Sequence, residues 1–143
     1  MEFCGGGTLS ELIDNPLNRG LPEPFIAYIC RKVLKGLSHL HKNKIMHQDI
    51  KALNIAITED TGIHLIDFGL ARKVKRFQRC KELRGTPHYI APEVWTCSSH
   101  DFKCDIWALG ITDIQMAEAR CPLVHLQPEE VGEEIIFLRS SNS

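Results

Sequence analysis

Asp49, Lys51, Asn54 and Asp67 are the residues of this 143-residue chain whose types and spacing could do chemistry. Lys51 follows Asp49 by two residues, Asn54 lies shortly beyond, and Asp67 opens the string Asp67-Phe68-Gly69. This set suits phosphoryl transfer, where catalysis is mostly positioning and charge neutralisation. Asp49 can accept the proton of an attacking hydroxyl, and Lys51 can reach the transferred phosphate. Asn54 and Asp67 can ligate Mg2+, a cation that prefers hard oxygen donors. A metal-dependent hydrolase built on Asp49, Asn54, Asp67 and nearby histidines has the same ligand types. It leaves Ala91-Pro92-Glu93 and the segment after it unexplained.

These side chains need elements to hold them. Thr8 with Glu11 fits a capping box, which predicts a short helix over 9–14. Pro22 and Pro24 suit a first helical turn. Ile26, Ile29, Cys30, Val33, Leu34, Leu37 and Leu40 then recur at three- and four-residue spacing, which predicts an amphipathic helix over 23–41. His39 and His41 close it as capping or surface residues. Strands are expected over 54–57 and 64–66, joined by a turn at Asp60-Thr61-Gly62. Asn54 opens one strand and Asp67 follows the other, so the turn brings them together. Residues 70–84 show no period and read as a loop. A helix over 105–118 is apolar almost all round, which predicts burial on several sides. A further helix is expected near 131–138. Cys4-Gly5-Gly6-Gly7-Thr8 reads as a joint, since neither G-x-G-x-x-G nor a Walker lysine is present.

Composition narrows the classes. Lys and Arg number 17 against 18 Asp and Glu, so no global charge points to nucleic acid or a membrane surface. No apolar stretch approaches the roughly 20 residues of a membrane span. Six scattered cysteines without a C-x-x-C pair read as reduced thiols of an intracellular, cytoplasmic protein. Cys97, His100 and Cys104 lack the second close pair that a zinc site would need.

Four strings in fixed order carry a resemblance: His47 to Asn54, Asp67-Phe68-Gly69, Gly85-Thr86-Pro87 and Ala91-Pro92-Glu93. In this order they resemble the catalytic half of a Ser/Thr protein kinase. Further strings, Met1 to Gly7, Ala27 to Arg31, Gly85 to Val94 and Asp105 to Thr112, are similar to the Ste20-like group. Within it they point to the germinal-centre kinase branch near the Nck-interacting and Nik-related kinases. The resemblance implies an α+β fold, a mainly helical kinase C-terminal lobe with a small β-hairpin at the catalytic loop. The N-lobe and last C-lobe helices would be absent. It spans residues 1–128 as a partial kinase domain and leaves 129–143 as a divergent tail.

The resemblance also implies ATP and Mg2+ as cofactors, protein Ser/Thr hydroxyls as substrate, and a place in stress-linked MAP kinase signalling. Met1 falls at the gatekeeper position, and Glu2 to Cys4 would bind adenine through backbone groups, with Ala56 beneath the ring. Thr86 would bridge Asp49 and Lys51, and both Lys51 and Thr86 mark the Ser/Thr class. Asp105 would hold the catalytic loop by its backbone. His47 and Phe68 would stack.

The chain also departs from that pattern. The usual arginine before the catalytic Asp is Gln48, which cannot pair a phosphate bidentately. Residues 70–84 contain no Ser, Thr or Tyr to carry a phosphate. The same segment holds Arg72, Lys73, Lys75, Arg76, Arg79, Lys81 and Arg84 against Glu82 alone. It reads as a solvated basic loop or as a dock for an acidic partner. Ala56 replaces a large aliphatic residue, a loss on the order of 1–3 kcal/mol of apolar contact. A chain starting at the hinge lacks the Gly-rich loop and strand lysine, and Glu93 lacks its arginine. On that reading the chain alone folds poorly, leaves Glu93 buried and unpaired, and does not transfer phosphate at kinase rates. A non-catalytic binding or scaffold module is the alternative.

Overall fold

The computed structural model describes residues 6–75 and 80–141. Met1, Glu2, Cys4, Arg76 and Arg79 lie outside them. Helix α1, Leu9–Ile13, starts where Thr8 Oγ1 accepts the amide of Glu11, the first half of the expected capping box. Helix α2, Glu23–Lys42, carries prolines in and just before its first turn, where no intrahelical N–H bond is lost. It turns Ile29, Val33 and Leu37 inward, and Lys44, at φ 61°, reverses the chain beyond it. Strand β1, Ile45–Met46, then leads into the loop 47–51, the catalytic loop of the resemblance.

A single turn of 3-10 helix, Ala52–Asn54, ends that loop. Strands β2, Ile55–Ile57, and β3, Ile63–Leu65, pair antiparallel with Ala56 opposite His64. Strand β4, Arg72–Lys73, pairs antiparallel with β1, Met46 opposite Arg72. The expectation of a featureless loop over 70–84 is therefore corrected. Two residues are too few to show a period, and β4 exists because β1 offers it partners. Helices α3, Pro92–Trp95, α4, Lys103–Glu118, and α5, Pro128–Ser141, complete the chain.

Two apolar clusters hold these elements. One joins α1, α2, the catalytic loop, β2 and α4 through Leu9, Ile29, Val33, Ile50, Ile55, Leu109 and Met116. The other joins Met46, Val74, Cys80, Ile90, Val94 and Cys104 around the β1–β4 pair and α3. Helix α4 is not buried on several sides. Cys104, Asp105, Ala108, Leu109, Thr112, Gln115 and Met116 form one buried stripe, while Ile106, Trp107 and Ile114 remain exposed. The buried positions follow helical spacing and face α2 and the catalytic loop. Apolar composition alone does not say whether a second layer covers the other face.

Glu93 is half-buried rather than buried, on the rim of a groove it shares with His88, Trp107, Leu138 and Arg139. Helix α5 rests on α3 at a point where only glycine fits. A Cβ on Gly132 would lie 2.6 Å from Cε3 of Trp95. Gly132→Ala should therefore loosen α5 despite its better helix propensity, costing about 1–3 kcal/mol of packing. A red shift of tryptophan emission and faster proteolysis within 128–141 would register this. Unchanged emission would place the contact outside the docking energy.

Candidate functional site

Two consecutive residues of the catalytic loop are set by Asp105 from across the core. Its Oδ2 accepts the backbone N–H of His47 and its Oδ1 that of Gln48, both at 2.9 Å. Nε2 of His41 donates to the same Oδ2 at 2.9 Å. Asp105 is 1 % exposed, so its charge is held by these donors and not by water. Beside it, burial pushes the Cys104 thiol up, and the Asp105 carboxylate adds to the shift. Gln48 stands at φ 67°, a left-handed conformation costing a side-chain-bearing residue about 1–2 kcal/mol. The two N–H bonds to Asp105 hold the loop in it.

His47 is wholly buried and works at both ring nitrogens. Its Nδ1 accepts the amide of Asp49 at 3.2 Å, so the proton sits on Nε2, which donates to the carbonyl of Ile66 at 3.0 Å. The imidazole thus ties Asp49 to the residue preceding Asp67. Phe68 packs against the same ring, centroids 5.0 Å apart.

Asp49, Lys51 and Thr86 form one continuous contact. Thr86 Oγ1 donates to Asp49 Oδ1 at 2.7 Å and accepts from Lys51 Nζ at 2.8 Å. Lys51 Nζ is also 3.9 Å from Asp49 Oδ2. Gly85, at φ 123°, brings Thr86 in close, since a Cβ there would lie 3.1 Å from the carbonyl of Gln48. Asn54 is buried, and its Nδ2 donates to the Asp49 carbonyl at 2.8 Å and to Asp49 Oδ2 at 3.1 Å. Asn54 Oδ1 takes no part in either bond.

Asp67 is exposed at φ 55°, its Oδ1 accepting the amide of Gly69 at 3.1 Å. The bond from Ile66 N to Asn54 O, 2.9 Å, sets Asp67 one residue beyond the point where the two strands meet. Among the described residues no three His, Cys, Asp or Glu side chains gather as a ready-made metal cage. An amide and a carboxylate fit Mg2+ all the same, because that ion completes its shell with waters and substrate phosphates. Ala56 is 1 % exposed, and it forms a bridge with Thr8. Met1, Glu2 and Cys4 fall outside the described residues.

His41 and Glu82 join this region without a sequence signal for it. His41 reads as a helix-end histidine, yet it is the third donor to Asp105, from 64 residues away. Glu82 touches both Arg72 and Arg84.

The protein kinase domain family matches residues 1–140. The chain is similar to Misshapen-like kinase 1 of Rattus norvegicus, 44 % identical over 134 residues, covering 90 % of this chain and 10 % of that protein. It is similar to Nik-related protein kinase of Homo sapiens, 42 % identical over 147 residues, covering 99 % and 9 %. Serine/threonine-protein kinase 10 of Xenopus tropicalis is 45 % identical over 137 residues, covering 92 % and 14 %. The chain thus spans about a tenth of the length of these relatives.

Proposed function

The chain belongs to the protein kinase family, in the Ste20-like group with the Misshapen and Nik-related kinases, and from that premise we propose that it carries the phosphoryl-transfer centre of a protein serine/threonine kinase. The observation that carries this reading is the contact Asp49–Thr86–Lys51, with Asn54 fixed to Asp49. Asp49 orients a Ser or Thr hydroxyl and takes its proton. Lys51, beside it, neutralises charge on the phosphate in transit. Asn54 and Asp67 would hold Mg2+, which supplies charge neutralisation along the phosphates of ATP. Met1, Glu2 and Cys4 would receive the adenine, while Ala56, 1 % exposed, offers the ring no open surface. The region would work as the C-terminal lobe of the kinase domain, in stress-linked signalling in the cytoplasm. An acidic partner at 72–84 is compatible with exposed Lys73 and Lys81.

Binding tests this before turnover does. Mg-ATP at about 100 times its Kd would add about 2.7 kcal/mol to the folded state, a rise of several degrees in melting temperature. Asp67→Ala or EDTA should remove most of that rise. The absence of any shift in the unaltered chain would support a binding or scaffold module instead. That second reading draws on Ala56, too small to pack under an adenine as a larger aliphatic would.

A further inference from the structure

We infer that Glu82 is a positioning residue for Asp49, a fixed negative charge that ties Arg72 to Arg84 without any phosphate. The role assigned to Asp49 rests on the reading above; the tie between Arg72 and Arg84 does not.

Glu82 is the one carboxylate between residues 70 and 84. Its Oε2 lies 3.0 Å from Nη2 of Arg84 and 3.4 Å from Nη1 of Arg72. A single oxygen therefore bridges two arginines at opposite ends of the segment. Arg72 belongs to β4, whose partner β1 runs straight into His47, Gln48 and Asp49. Arg84 precedes Gly85 and Thr86, whose hydroxyl donates to Asp49. The contacts close a ring: Asp49 back along the chain to Met46, across β1–β4 to Arg72, through Glu82 to Arg84, and by Thr86 to Asp49 again. Opening it at Glu82 would leave Arg72 and Arg84 without the anion between them, two charges of one sign.

The residue before Asp49 cannot supply this clamp. Gln48 is neutral and 8 % exposed, its Oε1 without a hydrogen-bond partner. Gln48 and Arg84 line the same small cavity, about 20 Å3. The positive charges that receive the anion stand on the segment's own flanks, and the anion is part of the chain. With no Ser, Thr or Tyr in 70–84, this tie is built in and not switched by phosphorylation of a hydroxyl there.

The three side chains, Arg72, Glu82 and Arg84, are 28, 54 and 40 % exposed, so each pair contributes modestly and salt screens it. The expected signature is local and ionic. Hydrogen exchange on the intact chain reads it, at low salt and at about 0.5 M NaCl, where the screening length is only a few ångströms. Glu82→Gln should speed exchange of the amides of Val74 and Cys80, which are bonded to the carbonyls of Lys44 and His100, about fivefold at low salt, with little change in the α2 amides. High salt should move the unaltered chain toward the variant and leave the variant nearly unchanged, and Glu82→Asp should restore part of the protection. Equal exchange in the two proteins at both salts would overturn the inference, as would a difference that salt does not affect. These readouts need no turnover, so a chain that fails to bind Mg-ATP would sink the kinase reading while leaving the clamp decided on its own data.

Discussion

Asp105→Asn is expected to lower the melting temperature of the chain by about 10 °C, the largest stability effect of any single substitution near the site. Both carboxylate oxygens receive backbone N–H groups, from His47 and Gln48, and one also receives His41. An amide has one oxygen. In either orientation the substituted side chain would set its NH2 group against a buried N–H, so at least one donor is left unpaired. Losing hydrogen bonds to a charged acceptor costs about 1.5–3 kcal/mol each. In the orientation that strands the Gln48 N–H, Gln48 loses the bond that holds it left-handed at φ 67°. Thermal unfolding followed by circular dichroism checks the size of the loss. A fall under about 2 °C would mean that the loop holds itself without Asp105. His41→Ala should cost less, because it removes one donor and leaves both backbone bonds intact.

Asp49→Asn should lower phosphoryl transfer from Mg-ATP to a Ser/Thr peptide by about 10²–10⁴-fold, relative to whatever basal rate the chain supports. The change keeps shape and removes the proton acceptor. Asp49 is 12 % exposed and within hydrogen-bonding distance of Thr86 and Asn54. The Mg-ATP thermal shift should survive in this variant, since the proposed metal residues are Asn54 and Asp67. Thr86→Val tests the same contact from the other side. It removes the hydroxyl that links Asp49 to Lys51 at nearly constant volume, so Lys51 should lose its fixed position while the fold persists. Initial rates with labelled ATP, on folded samples matched by circular dichroism, make the measurement. A rate unaffected by Asp49→Asn would remove that residue from the chemistry.

Local signals made much of the fold readable. The spacing of Ile29, Val33 and Leu37 gave α2 its inner face, and Thr8 and Glu11 marked the start of α1. The turn at Asp60-Thr61-Gly62 gave the β2–β3 pair, shifted by one residue at its edges. Residues whose roles depend on distant partners were harder. Strand β4 has no local preference of its own and forms by pairing with β1. His41 sits in a helical period that predicts its direction and not its bond to Asp105. The exposed face of α4 reads as buried because composition carries no information on what lies opposite. Asp49, Lys51, Asn54 and Asp67 read as a candidate set from type and spacing, and Thr86 joined them only through the order of the strings. Their spacing along the chain could not give the distances between them.

The anchoring of the catalytic loop also says when it can form. His47 and Gln48 depend on a residue 58 and 57 positions further along the chain, and Asp49 on one 37 positions away. Contacts of such separation close late, because their loop entropy is met only once much of the chain is collapsed. Helix α2 and the β2–β3 hairpin can each form on contacts within their own segments. The left-handed turn at Gln48 then waits for α4 to deliver Asp105. During synthesis the segment ahead of α4 would leave the ribosome with an unlocked loop, and substitutions at Asp105 should slow folding less than they speed unfolding.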